Sequence, residues 1–112
     1  MNSDLFANLE IEPREVKQLL DSGEDLLFVD VRETWEHQLS KIESSRLIPL
    51  GQLASNLAAF EAAEEIVLFC HSGRRSLDAA AWLRSQGVLG ARSMAGGIDR
   101  WSREIDPSVP RY

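Results

Sequence analysis

Glu65-Ile66-Val67-Leu68-Phe69-Cys70-His71-Ser72-Gly73-Arg74-Arg75-Ser76 is the stretch on which the fold turns. Its apolar run, Ile66 to Phe69, is rich in β-branched and aromatic residues. Acids precede it and a polar turn follows, so it reads as a buried strand. The run leads into the chain's only cysteine. Beyond Ser76 the sequence turns alanine-rich and helix-prone, from Leu77 to Arg84. A strand, a tight polar loop and a helix start therefore meet at one thiol.

That meeting has a chemical consequence. Backbone N–H groups of the loop and of the first helical turn lack partners within the helix and can point at an anion. Gly73 lets the backbone curl without a Cβ clash, and Arg74 and Arg75 add two permanent positive charges. The thiolate is the attacking form of cysteine, and such surroundings favour it. A lone cysteine is otherwise most often a small buried hydrophobe. The glycine and the arginines beside Cys70 make it the candidate nucleophile instead.

Cys70-His71-Ser72-Gly73-Arg74-Arg75-Ser76 resembles the active-site loop of the rhodanese family of sulfurtransferases, Cys-x-x-Gly-x-Arg followed by Ser or Thr. Two further stretches are similar to signatures of that family and stand in its order: Val29-Asp30-Val31-Arg32-Glu33 upstream and Gly96-Gly97-Ile98-Asp99-Arg100-Trp101 downstream. The resemblance runs from about Ile11 to Trp101. It departs at Lys41-Ile42-Glu43-Ser44-Ser45, which stands where many rhodaneses carry Gly-His-Ile-x-Gly-Ala. Leu47-Ile48-Pro49-Leu50 and the overall pattern resemble rhodanese domains fused to adenylyltransferases that serve sulfur-carrier proteins.

Composition bounds the rest. A chain of 112 residues holds one core and is too short for two domains. We therefore expect a single rhodanese-like domain over 1–112, with a loose terminus at 1–8 and an irregular, surface-lying tail at 105–112. Net charge is −6 with no basic run beyond Arg74-Arg75, which argues against nucleic acid as a partner. One cysteine excludes an internal disulfide and a multi-cysteine zinc site. His37 and His71 form no recognisable metal motif, and sulfur transfer on a single thiol, which the resemblance implies, calls for no metal or organic cofactor. The first residues show no secretory signal, and nothing reaches the length of a membrane span. A free thiol fits a reducing, cytoplasmic setting.

The pattern of strands and helices follows from the apolar spacing. Leu9 to Ile11 is a candidate edge strand. Pro13 opens a helix whose Val16, Leu19 and Leu20 share a face, and Gly23 stops it. Leu26 to Val31 reads as a strand covered on both faces. Thr34 to Leu39 reads as a short helix, Arg46 to Ile48 as a short strand, and Gln52 to Ala62 as an amphipathic helix. After the Cys70 loop come a helix to about Gln86 closed by Gly87, a strand at Ala91–Met94, a Gly96-Gly97 turn and a helix from Ile98 to Arg103. The order predicts an α/β fold, a central parallel sheet with helices on both faces, with ligands outside the carboxyl ends of the strands.

The reading that follows is sulfur transfer by double displacement. Cys70 is the catalytic residue, and His71, Ser72, Gly73, Arg74, Arg75 and Ser76 line the substrate. Asp30 and Arg32 give structural support beside the site, and Trp35, Trp82 and Trp101 are read as core or rim packing. Arg75 stands at the loop's family-matched arginine position, where it either binds an oxyanion or braces the loop from behind. The substrate is a small sulfur donor, thiosulfate or a persulfide, and the sulfur passes to a thiophilic acceptor. A cysteine desulfurase or a sulfur-carrier protein could stand at either end of that transfer. The alternative of another class is a sulfur relay module working through protein contact with little turnover of small donors. Phosphatase or arsenate reductase chemistry uses a similar cradle but favours five residues between cysteine and arginine, whereas Cys70 and Arg75 are separated by four.

Overall fold

The computed structural model describes residues 3–112. Its strands are β1 (Glu10–Ile11), β2 (Leu27–Asp30), β3 (Arg46–Leu47), β4 (Ile66–Phe69) and β5 (Ala91–Met94). They form a five-stranded sheet in the order β1-β5-β4-β2-β3, with every pairing parallel. The helices are α1 (Pro13–Asp21), α2 (Thr34–Leu39), α3 (Leu57–Glu61), α4 (Arg74–Ser85) and α5 (Gly97–Glu104). The expected α/β architecture is therefore present, with β4 in the middle of the sheet.

The pleat of β4 explains why its run is continuously apolar. Ile66 and Leu68 point to one face, into a core with Phe60, Ala79 and Leu83. Val67 and Phe69 point to the other, into a core with Val16, Ile98 and Trp101. All four strand residues are buried, and each such side chain contributes about 1.5–3 kcal/mol by leaving water. Two faces therefore need apolar residues at every position rather than at alternate ones. The register pairs Asp30 with Phe69, so the carboxyl end of β2 lies beside the residue that precedes Cys70.

Local chemistry fixes the helix starts. Pro13 takes the first position of α1, and Glu12 and Glu15 form a reciprocal capping box. Glu33 and Glu36 do the same for α2. Gly23 and Gly87 adopt positive φ just past the ends of α1 and α4, as the sequence predicts.

Three expectations are corrected. Gln52–Ala62 is not one helix: 3₁₀ turns at Leu50–Gln52 and Ala54–Asn56 precede the short α3. Ser55 Oγ and Asn56 Nδ2 both donate to the Gln52 carbonyl, at 3.0 and 2.8 Å, and such local bonds compete with helix. Of the terminus expected to be loose, residues 1–2 lie outside the described residues. Ser3–Phe6 forms a 3₁₀ turn, and Arg84 donates to the carbonyls of Leu5, Ala7 and Asn8 at 3.1, 2.5 and 2.9 Å. The tail is irregular but does not lie on the surface throughout. Val109 is buried among α1 and α5 residues, with its carbonyl held by Ser102 Oγ. Ser40 Oγ holds the Pro110 carbonyl. Among the described residues no helix is long and apolar enough to cross a membrane.

Candidate active site

The strand β4 ends by handing Cys70 to a loop that turns straight into α4. Gly73, at φ 105°, is the residue before the helix, and this left-handed conformation suits glycine. A Cβ there would also come within 3.1 Å of the Gly96 nitrogen. The turn folds two backbone donors back onto the thiol: Gly73 N–H and Ser76 N–H reach Cys70 Sγ at 3.2 and 3.3 Å. Ser76 Oγ lies 3.4 Å from the sulfur and 2.7 Å from Ser93 Oγ on β5. Cys70 is 1% exposed, so its sulfur sits at the base of the loop with amides facing it. Ser72 and Arg74 are the exposed loop residues.

The loop is pinned from behind by α5. Ile98 N–H donates to the Cys70 carbonyl at 2.8 Å, and Asp99 N–H to the His71 carbonyl at 3.1 Å. A Cβ on Gly97 would fall 2.5 Å from both carbonyl oxygens, closer than any side-chain carbon tolerates. The Gly96-Gly97 pair thus does more than turn the chain: it lets one helix start close against the carbonyl side of the thiol loop while the loop's own amides turn inward.

Arg75 braces the loop from behind. Its Nη1 and Nη2 donate to Glu36 Oε1 and Oε2 at 2.7 and 2.9 Å, a bidentate fork. Of the two readings of Arg75, an oxyanion contact or a brace for the loop, the observed fork is the one a brace requires, since it holds a carboxylate of the protein itself. Glu36 is almost fully buried. The Arg75 hydrogen bonds hold its carboxyl down to about 2, against desolvation. The same pairing raises the Arg75 guanidinium above its ordinary range. Arg74, by contrast, is 85% exposed at its side chain and lies 3.8 Å from Asp78.

Asp30 and Arg32 form a buried ion pair at the carboxyl end of β2. Asp30 Oδ1 accepts from Arg32 N–H and Nε at 3.0 and 2.9 Å, and Oδ2 from Nη2 at 2.8 Å. Both side chains are fully buried. His37 Nδ1 lies 2.9 Å from the same Oδ2. Arg32 also donates to the Ser40 carbonyl at 2.5 Å and to Tyr112 Oη at 2.8 Å. The loop between α2 and β3, where the sequence departs from the family pattern, turns on a Ser45 Oγ bond to the Ile42 carbonyl and buries Ile42.

Two further residues join the site that the sequence reading passed over. Glu36 carries one signal, its place three residues after Glu33 in a capping box. Tyr112 carries none. Its hydroxyl donates to Glu36 Oε2 at 2.7 Å, and its ring stacks on His71, centroids 4.2 Å apart and 13° from parallel. Burial raises the phenol above its ordinary range; Arg32 opposes this and Glu36 adds to it. Trp35, 61% exposed, meets the Tyr112 ring edge-on at 6.3 Å. Trp101 is a core residue, and Trp82 lies at the rim.

Comparison with known proteins places the chain among rhodanese-like domains. The family model for the rhodanese-like domain matches residues 12–104. An adenylyltransferase and sulfurtransferase of Zea mays, MOCS3-1, is 37% identical over 88% of this chain and 23% of its own length. The chain thus spans about a quarter of the length of that relative. A sulfurtransferase of Allochromatium vinosum is 31% identical over 89% of this chain and 94% of its own. The structure of the human single-domain sulfurtransferase TSTD1 superposes with a TM-score of 0.76 at 33% identity, covering 86% of this chain and 96% of that one.

Proposed function

This chain belongs to the rhodanese-like domain family, and from that premise we propose that it is a sulfurtransferase working through a persulfide on Cys70. The observation that carries the reading is the pair of amides, Gly73 N–H and Ser76 N–H, directed at Cys70 Sγ. Donors fixed in place around a sulfur stabilise negative charge there without reorganising during the reaction. The thiolate attacks the outer sulfur of a donor. With thiosulfate, the bond to the inner sulfur breaks, its electron pair leaves with sulfite, and a persulfide anion remains on Cys70. A thiophilic acceptor then takes the terminal sulfur and returns the thiolate.

The chemistry closes with one cysteine, which is all the chain has. Arg74 is the loop cation left unengaged by a buried partner, and its exposed charge is suited to drawing an anionic donor toward the mouth. Arg75 contributes through the shape of the loop. Four residues between Cys70 and Arg75 make a tighter bowl than a tetrahedral phosphate favours, which supports a sulfur atom as the group transferred.

Intact-mass measurement after incubation with thiosulfate tests the reading. The expected result is a gain of one sulfur atom, lost on adding cyanide and absent from Cys70→Ser. A Cys70→Ser variant that still gains sulfur rejects the nucleophile. Loading by a persulfidated desulfurase but not by thiosulfate would favour the relay reading over turnover of small donors.

A further inference from the structure

We infer that Tyr112 is a positioning residue for the Cys70 loop, acting through both its hydroxyl and its ring. The inference rests on the proposal that Cys70 is the working thiol. Tyr112 lies 42 positions beyond Cys70 yet touches the loop's support at two independent points. Through its hydroxyl it joins two ion pairs. It accepts from Arg32, whose carboxylate partner is Asp30, and donates to Glu36, whose cation partner is Arg75. Through its ring it covers one face of His71, the residue bonded to Cys70.

The hydroxyl matters because Glu36 is saturated only with it. Oε1 accepts from Glu33 N–H at 3.1 Å and from Arg75 Nη1. Oε2 accepts from Arg75 Nη2 and Tyr112 Oη. With both oxygens engaged, the carboxylate has one orientation, and that orientation fixes the Arg75 fork. Arg75 precedes Ser76, whose N–H is one of the sulfur's two amide donors.

The ring matters because the other side of His71 is already fixed. Its carbonyl accepts from Asp99 N–H, and its side chain stacks on Tyr112. The first peptide after the thiol is thereby held between α5 and the tail. Nothing in this arrangement brings Tyr112 to Cys70 itself, so its effect on chemistry runs through the fraction of molecules whose loop amides face the sulfur.

That route predicts a signature. Alkylation of Cys70 by iodoacetamide at fixed pH and sulfur loading from thiosulfate should fall together and by the same factor. In Tyr112→Ala both rates should fall about tenfold, since stack and hydroxyl bonds are lost. In Tyr112→Phe, which keeps the ring, both should fall about threefold. His71→Ala should reproduce the part due to the ring. The phenylalanine variant decides the matter if the alanine variant unfolds. A lower melting temperature with both rates unchanged in folded protein would make Tyr112 a mere anchor for the tail and overturn the inference. A fall in loading with unchanged alkylation would make it a substrate contact and overturn it too. Wild-type protein that alkylates but never loads sulfur would defeat the sulfur-transfer proposal alone, while the alkylation series still decides the role of Tyr112.

Discussion

Arg32 and Arg84 are both buried cations, and they stand at opposite ends of the sheet. Arg32 follows the carboxyl end of β2 and has a carboxylate, Asp30, within hydrogen-bonding distance of two of its side-chain nitrogens. Arg84 lies near the end of α4, and its Nε donates to the carbonyl of Ala91, where β5 begins. Its other described hydrogen bonds also go to carbonyls, those of Leu5, Ala7 and Asn8. Burial lowers the Arg84 guanidinium, with Arg92 adding to the effect. Burial opposes the charge of Arg32 as well, yet its guanidinium is raised because Asp30 and Tyr112 bond its charged form. The two cations solve one problem with different acceptors. At the site end one acceptor, Asp30, carries charge, and another, Tyr112 Oη, joins a network reaching the thiol loop. At the other end the acceptors are neutral backbone, and the cation fastens a terminal segment.

The harshest way to break the comparison is to remove the carboxylate. Asp30→Ala leaves Arg32 buried with only the Ser40 carbonyl and Tyr112 Oη as described partners. Losing one partner of a buried pair costs about 3–5 kcal/mol, a large part of the stability of a domain this size. Urea unfolding should show the midpoint falling steeply with the slope unchanged. A loss below about 1 kcal/mol would mean that Arg32 finds water or another acceptor, and the claimed difference between the two ends would vanish.

Removing the other cation should cost less and leave the thiol alone. Arg84→Met keeps much of the apolar stem but leaves the Ala91 carbonyl without its guanidinium donor, for a loss of about 1–3 kcal/mol. In folded protein the rate of Cys70 alkylation should stay within about twofold of wild type, since no group that Arg84 contacts belongs to the loop network. An Arg84→Met protein of near-normal stability with a markedly altered alkylation rate would show that the two ends communicate.

The site end was legible in the sequence where its chemistry is local. Ile66–Phe69, Cys70, Gly73 and the start of α4 lie within one short stretch of the chain, so neighbours in sequence decide their conformation. Asp30 and Arg32 were legible for the same reason, two residues apart at a strand end. What could not be read depends on distant partners. Tyr112 meets Arg32 and Glu36 across 80 and 76 positions, and an aromatic in a proline-marked tail carries no pattern of its own. Residues 3–8 looked loose because the cation that fastens them is on α4. The misread Gln52–Ala62 helix is different: Leu53, Leu57 and Phe60 do fit a helical stripe, but periodicity is blind to Ser55 and Asn56 turning back onto the Gln52 carbonyl.

Acid separates the two ends most finely, because only one of them is held by acceptors that gain protons. Glu36 has its carboxyl lowered from 4.5 to about 2 in the folded protein, chiefly by the Arg75 hydrogen bonds. A carboxyl lowered on folding stabilises the fold fully above its unfolded value and loses that contribution as pH falls through the folded one. The Glu36 contribution should therefore be complete above about pH 4.5 and decline between there and pH 2. Partial exposure of Arg75 discounts it to about 1–2 kcal/mol. Urea unfolding of wild type and Glu36→Gln should differ by that amount at pH 6 and converge toward pH 2.5, whereas wild type and Arg84→Met should keep a constant gap over the same range because carbonyl acceptors do not titrate there. A wild-type and Glu36→Gln gap that stays constant with pH would place the stabilisation in packing rather than in charge, and the site end would then be held much as the Arg84 end is.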